Sequence, residues 1–536
     1  MKFGQLDINP AVNPGILDTG TWDTDGAARQ IAALKTEPPA GLVSLPDGQQ
    51  VLAGRGEAIQ DALGQPLTTQ QGIAYYPTNA AALDKYCRRF APSKGPRALG
   101  PMPRLGIGTR MTTAVWPGIF GAMGRAGFAA NSIQNSIREL NLMEDLLHAH
   151  PPARNYAFCF GTIESGYTGS SFEGLLVAGT LAALKCEAML AYGADADHVQ
   201  VKRGEEGMDR AKTTLNAARY YSFYTMDLSD ILDYRAPLET AIGAKDYLTH
   251  EIASGAERKA VLALHKEPFG SGSYRCQLDD AQIGRLVGKH WRALGALEEL
   301  TAHLGKLKDG VPFDLELTID EYPPEIGAFD CLTSEEEMLF LLRESQRRGL
   351  PLTHIAPNFG VEKGHDYRCP DGLDGLDKRI RAQFAVAEEF GVLLDFHSGD
   401  DLTSAPRRVI QKATGGRHHF KVSPMLQLLF ADVLQRYNPA LFQEWWDDAV
   451  AYATREAEAD SEIAIDCLRQ YEASGNKTPS RHHEIFHWYS FAFVGKRDER
   501  GQFLHRDRFY TLSPEFYAAY QLAIADYLCG LAAELF

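Results

Sequence analysis

Short apolar runs alternate with longer amphipathic segments along most of the chain after about residue 100. Runs such as FDLELTIDE and VLLDFHSGDD are apolar in the middle and end in polar residues, as buried parallel strands do. Between such runs, FEGLLVAGTLAALKCEAMLAYG and TSEEEMLFLLRESQRRG have apolar residues at helical spacing. The second segment begins with a Thr/Ser–Glu cap and ends at a glycine, which are typical helix boundaries.

The strand–helix alternation repeats about eight times, which predicts an α/β fold closed into a (β/α)8 barrel of the TIM type. A doubly wound open sheet is the alternative. The predicted strands are NYAFCFGTIES, HVQVK, YYSFYTMDLSD, KAVLALHKE, FDLELTIDE, LTHIAPNF, VLLDFHSGDD and HHFKVS.

The two ends of the chain differ in texture from this central part. Residues 1–100 carry short apolar alternations broken by Gly, Pro and Asn, which indicates a small mixed or β-rich region. A basic, proline-rich connector, RRFAPSKGPRALGPMPR, leads into the barrel, which we place at 101–425. Residues 426–536 are mainly helical and rich in aromatic residues, and we expect these helices to pack on the barrel.

Composition and charge exclude several classes of protein. Hydrophobic residues make up 45% of the chain and charged residues 23%, which is typical of a globular protein. The net charge of −16 disfavours nucleic acid and anionic membranes as partners, although a pocket can still bind an anionic metabolite. Eight dispersed cysteines without a CxxC pair, and the lack of a signal peptide or membrane span, indicate a soluble cytoplasmic protein. The oligomeric state is left open.

Polar residues follow the predicted strands, and strand ends meet at one rim of a barrel. Glu321, His397 and His419 end three separate strands, so we predict that they bind a divalent metal. Two histidines and one carboxylate suit Zn²⁺, Mn²⁺, Co²⁺, Ni²⁺ or Fe²⁺. Glu321 is equally explained as a cap, and strand alternation points only one of His418 and His419 inward.

Three further groups of residues are candidates for site chemistry. In GADADHVQV, Asp195 and Asp197 share one face of an extended chain and His198 faces the other way, and the carboxylates could act as a general base or bind hydroxyls. His265 and Lys266 end the predicted strand KAVLALHKE. The segment HHEIFH, with His482, His483 and His487, lacks the HExxH spacing, and a surface or packing role is favoured for it.

Several of these motifs together resemble the tagaturonate epimerase family. RLGIGTRMTTAVWPG, IQNSIREL, GADADHVQV, SFYTMDLSD, ELTIDE, HIAPNFGVEKGHDY, DFHSGDD and HHFKV follow one another in the family's order, over roughly residues 104–510. The resemblance implies a metal-dependent isomerase that interconverts the ketohexuronates tagaturonate and fructuronate. The roles it implies are metal ligands at Glu321, His397 and His419, proton transfer by Asp197 and Lys421, and substrate binding by Arg110, Gln134, His198, Asp227 and Asp401.

The implied reaction inverts a carbon that lies β to a ketone, so its hydrogen is not acidified by the carbonyl. Retro-aldol cleavage and re-addition is favoured over transient oxidation by a nicotinamide, because the sequence carries no dinucleotide fingerprint. A class II-type sugar aldolase would use the same chemistry and stop at the cleaved stage. A non-catalytic sugar-binding protein on the same barrel is the alternative outside enzymes.

The chain departs from the family pattern at residues near the predicted site. Asp400 and Leu402 stand where HSGSDK is expected, HFKVSPML replaces HVKTAGTS, and Gln200 stands where a lysine is expected after GADADHL. These changes remove positive charge that would attract a uronate carboxylate. They leave open a divergent branch that acts on a neutral ketose or another sugar acid.

Overall fold

The structure is a computed structural model that describes residues 40–44, 50–136, 154–157, 161–164, 166–204, 206–271, 274–322, 326–362 and 365–536, with single positions at 29, 143 and 146. Eight parallel strands close into a barrel, which confirms the predicted (β/α)8 fold and excludes the open sheet. Strands precede the barrel and helices follow it.

The strands are β1 (Ala40–Ser44), β2 (Gln50–Gly54), β3 (Thr68–Gln70), β4 (Ile73–Tyr76), β5 (Arg104–Gly108), β6 (Ala129–Ser136), β7 (Arg154–Ala157), β8 (Gly161–Glu164), β9 (Tyr192–Gln200), β10 (Phe223–Asp227), β11 (Phe269–Ser271), β12 (Tyr274–Cys276), β13 (Asp314–Thr318), β14 (His354–Ala356), β15 (Leu393–Phe396) and β16 (His419–Val422). The barrel order is β5, β6, β9, β10, β13, β14, β15 and β16, which closes back on β5. Strands β1 to β4 form a separate antiparallel sheet in the order β1-β2-β4-β3.

The helices are α1 (Glu57–Leu63), α2 (Ala80–Phe90), α3 (Trp116–Ala126), α4 (Phe172–Lys185), α5 (Glu206–Ala217), α6 (Ala241–Glu251), α7 (Gly255–Lys266), α8 (Asp280–Lys308), α9 (Glu335–Arg347), α10 (Gly372–Glu389), α11 (Ser404–Thr414), α12 (Pro424–Tyr437), α13 (Pro439–Glu458), α14 (Glu462–Ala473), α15 (Glu484–Tyr489), α16 (Arg506–Tyr510) and α17 (Pro514–Leu535). As predicted for α9, the side chain of Ser334 caps the helix by accepting a hydrogen bond from the amide of Glu337. By the criterion of length and apolar character, none of the helices in the described ranges would cross a membrane.

Two predicted barrel strands are wrong. KAVLALHKE lies in α7, whose N-cap is Ser254, and the buried residues Val261 and His265 are spaced by one helical turn. NYAFCFGTIES contributes β7 and β8, which pair with each other as an antiparallel hairpin outside the barrel. In both cases a short apolar run does not by itself distinguish a barrel strand from another buried element.

The missed barrel strands are β5 and β6. Their sequences, RLGIG and AANSIQNS, contain glycine and polar residues where a buried strand is expected to be apolar. Both strands are nevertheless buried. Their polar residues are tolerated there because the barrel interior is itself polar near the site. The usual signal of a continuous apolar run therefore fails for them.

Helix α17 completes the ring of helices around the barrel. It packs against α3, which follows the first barrel strand, and against α11, which precedes the last. The contact with α3 is close, because a Cβ atom at Gly118 would lie 2.6 Å from the carbonyl oxygen of Gln521. The last helix of the chain therefore occupies the position expected of the eighth barrel helix.

The described cysteines are free thiols, and they are either buried or partly buried. Cys159 and most of the first 39 residues lie outside the described residues.

A methyl group at Gly118 is expected to separate α17 from α3. We expect Gly118→Ala to lower the free energy of unfolding by about 1–3 kcal/mol, since the added atom would overlap a backbone oxygen. Thermal or urea denaturation followed by circular dichroism measures this change. Gly121→Ala on the same helix is the matched control, because a Cβ there meets nothing within 4 Å, and we expect it to raise stability by about 0.4–1 kcal/mol. Equal destabilisation by both variants would contradict the close packing.

Candidate active site

A pocket of about 160 Å³ opens at the end of the barrel where the strands finish. This volume suits a small metabolite better than a nucleotide or a polymer. Most of the predicted site residues line the pocket: Arg110, Gln134, Asp197, His198, Glu321, His397, Asp401 and Lys421. The sequence prediction of where the chemistry lies thus corresponds to one cavity of the described structure.

The ammonium group of Lys421 lies on the floor of this pocket among four carboxylates. Its Nζ is 2.9 Å from Asp197 Oδ1 and 3.2 Å from Glu316 Oε1, and it donates to Thr225 Oγ1 over 2.8 Å. The carboxylates of Asp195 and Asp395 follow at 3.4 and 3.5 Å. Side chains from opposite parts of the barrel therefore meet at this one cation.

Glycine at position 106 provides the space for this arrangement. Gly106 pairs with Lys421 across β5 and β16. A Cβ at Gly106 would lie 2.5 Å from Gln134 Oε1, 2.7 Å from Lys421 Cγ and 2.9 Å from His419 Nε2. Any larger residue at position 106 would therefore displace Lys421 or His419 from the barrel interior.

Burial and charge shift the pKa values of these groups in opposite directions. Burial by itself would lower the pKa of Lys421, but the surrounding carboxylates hold it well above its usual value. Burial raises the pKa of Asp195 to about 7, and burial together with the charge of Asp395 raises that of Glu316. Asp197 shows the reverse: Lys421 lowers its pKa in spite of burial, so it is ionised. In the resting site the lysine is thus a cation and Asp197 an anion.

Glu316, Asp395 and His419 form a cluster beneath Lys421 that could hold a metal ion. Each residue offers one ligand atom, and these atoms lie within 4.8 Å of one another. His419 Nδ1 is 2.7 Å from Asp395 Oδ2, and burial lowers the pKa of His419 to about 4, which keeps the imidazole neutral. Glu316 Oε2, Asp395 Oδ1 and His419 Nε2 are buried without a hydrogen-bond partner among the described residues.

The choice between His418 and His419 is settled by the alternation of β16. His419 points into the barrel, where its ring lies 5.3 Å from that of His354. His418 points to the helical layer, where its Nδ1 is 2.8 Å from Thr414 Oγ1 and its ring is 5.3 Å from that of Phe536. The histidine of the predicted metal set is therefore the one that faces the interior.

The other two residues of the predicted metal set lie higher in the pocket. Glu321 lines its wall, and its backbone oxygen accepts a hydrogen bond from the hydroxyl of Tyr234. His397 has Nε2 3.0 Å from Glu316 Oε1 and Nδ1 3.0 Å from Asp320 Oδ2. Burial would lower the pKa of His397, but Asp320 and the other carboxylates raise it well above its usual value. The structure brings His419 together with Glu316 and Asp395, and the predicted ligand set remains a prediction.

His198 faces the pocket beside Asp197, so the predicted outward orientation of His198 is wrong. Asp197 and His198 of β9 together oppose the single residue Thr225 of β10, which is the geometry of a β-bulge. His198 has a φ of 53°, a left-handed conformation that is rare for residues other than glycine. The bulge breaks the alternation and directs two consecutive side chains to the same site.

Asp227 lies behind His198 and holds it in place. Its Oδ2 is 3.2 Å from His198 Nδ1 and accepts a hydrogen bond of 2.9 Å from Gln200 Nε2. Burial would lower the pKa of His198, but Asp197 and Asp227 raise it. Asp227 is therefore positioned to orient His198 and to favour its protonated form.

The rim of the pocket contains Arg110, Gln134 and Asp401. The guanidinium of Arg110 lies 3.8 Å above the ring of Tyr167, and Gln134 donates a hydrogen bond of 3.1 Å to Asp197 Oδ2. Asp401 Oδ1 is 3.5 Å from His487 Nε2. The rim thus combines a guanidinium, an amide and a carboxylate.

The C-terminal helices supply part of the pocket wall, which the sequence did not predict. His487 and Trp488 come from α15 and Phe491 follows it, and all three line the cavity. Of the HHEIFH histidines, His482 is exposed and His483 packs on Trp446, as expected for a surface or packing role. That role is wrong for His487. His487 is distant in sequence from the barrel strands, so no local pattern predicted that it would line the pocket.

His265 and Lys266 are not part of the site. His265 lies at the end of α7, buried, with Nε2 3.1 Å from Glu344 Oε1 on α9. Lys266 pairs with Asp280 on α8. Their predicted place at a strand end depended on the strand that proved to be a helix.

Of the residues that depart from the family pattern, Asp400 and Leu402 have structural roles, and Gln200 lines the pocket. Asp400 accepts a hydrogen bond from the hydroxyl of Tyr527 and binds the amide of Met425 at the start of α12. Leu402 is buried in the hydrophobic core. Gln200 holds Asp227, as described above. Asp400 and Leu402 are not among the residues that line the pocket, so the negative charge gained at Asp400 is used to fix α12 and α17.

A larger cavity of about 510 Å³ lies at the opposite end of the barrel, between α2, α4 and the residues that follow α8. It is lined mainly by apolar side chains and contains none of the clustered carboxylates and imidazoles. In barrel enzymes the chemistry belongs to the other end, where the strands finish. The smaller pocket is therefore the candidate active site.

Comparisons with known proteins support an assignment to a family. A model of the tagaturonate epimerase family matches residues 161–529, which is more than half of the chain. No curated protein sequence matches the chain.

Three crystal structures of a fructuronate-tagaturonate epimerase from Cohnella laeviribosi resemble this fold. The native structure is 19% identical, with a TM-score of 0.66 over 96% of this chain and 99% of that chain. The complex with one glycerol is 19% identical, with a TM-score of 0.66 over 95% and 99%. The complex with two glycerols is 20% identical, with a TM-score of 0.64 over 94% and 99%. The structural likeness shows the fold, and the match to the family model shows that this chain belongs to the tagaturonate epimerase family and is an isomerase of the carbohydrate epimerase class.

Proposed function

We propose that the protein interconverts tagaturonate and fructuronate in the cytoplasm by metal-assisted retro-aldol cleavage and re-addition. The observation that carries this proposal is the buried ammonium of Lys421, which links Asp197 in the pocket to the cluster of Glu316 and Asp395. Such a site can hold negative charge at a fixed place away from water, as cleavage of a carbon–carbon bond requires. The family of the chain and the fold of the epimerase from Cohnella laeviribosi support the substrate.

The position of the inverted carbon dictates the type of reaction. It lies β to the ketone, so removal of its own hydrogen would leave a carbanion that the carbonyl does not stabilise. Cleavage of the bond between the α and β carbons instead leaves its electrons next to the carbonyl, as an enediolate. The β carbon becomes an aldehyde, which can rotate and accept the enediolate on its other face.

The residues of the pocket suit the two ends of this reaction. Asp197 is ionised and lines the pocket, so it can accept the proton of the β-hydroxyl as the bond breaks. Lys421 is protonated in the resting site, which excludes it as a Schiff-base nucleophile but suits it to stabilise the enediolate or to return a proton through Asp197. His198, held by Asp227, can donate a hydrogen bond to a substrate oxygen, and the raised pKa favours its protonated form.

We place the metal at Glu316, Asp395 and His419. The unpartnered buried oxygens and the neutral imidazole are the donors that a divalent metal requires. The four carboxylates around Lys421 can carry more negative charge than one ammonium compensates. A divalent cation would compensate the excess, which is otherwise neutralised by protons on the carboxyl groups. A metal bound there would supply Lewis-acid polarisation of the ketone.

We assign the uronate carboxylate to Arg110. This side chain lines the pocket and is held against Tyr167, which leaves its planar guanidinium oriented for a carboxylate. Since Asp400 is engaged with Tyr527 and the start of α12, it does not oppose an anion in the pocket. The substrate assignment therefore does not depend on the lysines that the family pattern has and this chain lacks.

The purified protein with Mn²⁺, Zn²⁺ or Co²⁺ is expected to convert tagaturonate into fructuronate until equilibrium is reached. Carbon and proton NMR in D₂O measures the product and its isotope content. Loss of activity on chelation and its recovery on adding metal would support the metal site. Retention of hydrogen on the inverted carbon is expected, because retro-aldol chemistry never breaks that bond. Deuterium at that carbon would contradict the mechanism, and accumulation of cleaved fragments alone would indicate an aldolase.

Metal binding distinguishes the two candidate ligand sets. We expect Glu316→Gln and His419→Gln each to lower metal affinity by at least about 10–100-fold, because a direct ligand is lost. Glu321→Gln is expected to change it much less. Isothermal titration with Mn²⁺ or Zn²⁺ and elemental analysis provide the measurement. His418→Gln is the matched control, since His418 faces the helical layer and should leave affinity unchanged. Loss of metal in Glu321→Gln and not in Glu316→Gln would move the site to the upper set.

Arg110→Met is expected to lower kcat/KM for the uronate by about 10–150-fold, which corresponds to about 1.5–3 kcal/mol for a charged hydrogen bond. Steady-state kinetics with tagaturonate and with the neutral ketose tagatose measure the effect, and the loss should be confined to the charged substrate. Arg125→Met, a substitution of an exposed arginine on α3, serves as the control. An equal loss for both substrates would show that Arg110 does not bind the carboxylate.

A further inference from the structure

Retro-aldol epimerisation requires proton transfer on both sides of the substrate. When the aldehyde rotates before re-addition, its oxygen moves from one face of the reacting carbon to the other. The group that removed the proton from the first epimer then faces the wrong side to deliver a proton to the second. This inference rests on the proposed function and asks which residue serves the second face.

The two walls of the pocket are defined by the barrel order. Asp197 lies at β9, the third strand in the ring that starts with β5, and Asp401 lies in the turn after β15, the seventh. In a closed ring of eight strands, the third and the seventh are diametrically opposed. Asp197 and Asp401 therefore approach the pocket from opposite sides, and both line it.

Asp401 does not act alone on its side, because the imidazole of His487 lies beside it. The distance between Asp401 Oδ1 and His487 Nε2 is 3.5 Å, and both side chains are largely buried. Burial lowers the pKa of His487, so the ring is neutral and can accept a proton. A carboxylate next to a neutral imidazole is the arrangement that orients the ring and stabilises the imidazolium after proton transfer.

The surroundings of His487 also suit a catalytic group. Trp488 and Phe491 from the same segment, together with Tyr167, form an apolar wall, and the rings of Tyr167 and Phe491 are 5.5 Å apart. Such a wall limits water near the aldehyde and near the imidazole. Asp400 contacts the same region from behind by fixing the start of α12, so the turn that carries Asp401 is anchored.

We propose that Asp401 and His487 are the second acid–base pair of the epimerase. For the epimer whose β-hydroxyl faces them, a ring nitrogen of His487 accepts the hydroxyl proton as the carbon–carbon bond breaks and its electrons pass to the enediolate. In the opposite direction the imidazolium returns this proton to the alkoxide that forms as the carbon–carbon bond closes. Asp197 performs the same exchange for the other epimer, with Lys421 as the source of the proton that it passes to the alkoxide. Each turnover therefore adds one proton to the group that acts as base and removes one from the group that acts as acid, and exchange with water resets both groups for the next turnover.

The test compares cleavage of each epimer separately. Wild-type protein, His487→Gln and Asp197→Asn are mixed with tagaturonate or with fructuronate, quenched after single turnover with borodeuteride, and the reduced aldehyde fragment is measured by mass spectrometry. Wild-type protein should form the aldehyde from both epimers. His487→Gln should lower interconversion by about 10²–10⁴-fold in both directions, yet it should keep fragment formation from one epimer. Asp197→Asn should keep it from the other.

His482→Gln, an exposed histidine in the same segment, is the matched control and should behave as wild type. The proposal is overturned if His487→Gln retains wild-type rates, if it loses cleavage of both epimers, or if both variants block the same epimer. An equal loss in His482→Gln would overturn it as well, because the effect would then belong to the segment. Failure of the proposed function has a different signature: wild-type protein would either not interconvert the epimers or do so without forming the aldehyde.

Discussion

The ion-pair cluster around Lys421 is the constraint on which the rest of the barrel interior depends. One ammonium group is held within 3.5 Å of carboxylates from β9, β13 and β15. Removing one partner of a buried ion pair typically costs about 3–5 kcal/mol, because the remaining charge stays buried without compensation. Gly106 must therefore stay small, since it is the position on β5 that leaves room for the lysine and for His419.

In the upper half of the barrel, this cluster places charged side chains on the axis, where most barrels have apolar ones. The interior carries Asp195, Glu316 and Asp395, whereas the apolar residues between them point outward to the helices. Along β13, for example, Leu315 and Leu317 belong to the hydrophobic core and Glu316 faces the axis. The apolar side chains of β13 thus pack against the helices, and its carboxylate faces the axis. The ring of Phe223 packs against His419 at 5.4 Å, and a metal ion or a substrate in the pocket can use the charge of the cluster.

The pocket above the cluster is built from segments that are far apart in the sequence. The bulge at Asp197 and His198 directs two consecutive side chains inward, and Ser398 adopts a positive φ directly after His397. Non-glycine residues in this conformation are concentrated at functional sites, where the surrounding structure compensates their strain. The wall formed by His487, Trp488 and Phe491 comes from the C-terminal helices, and α17 then returns to complete the ring of helices.

The sequence by itself determined the barrel and most of the pocket. Alternating apolar strands and amphipathic helices are local patterns, and polar residues at strand ends converge in any parallel barrel, so Lys421, Asp197 and His397 could be assigned to one site. The sequence did not reveal β5 and β6, since an inward-facing glycine or amide breaks the apolar pattern, and it misread α7 as a strand because a short apolar run suits either element. Only the tertiary structure decided that His419 faces Glu316 and Asp395, that a bulge turns His198 inward, and that His487 reaches Asp401. These are contacts between residues distant in sequence, and their geometry depends on strand register, backbone conformation and helix packing that no local pattern encodes.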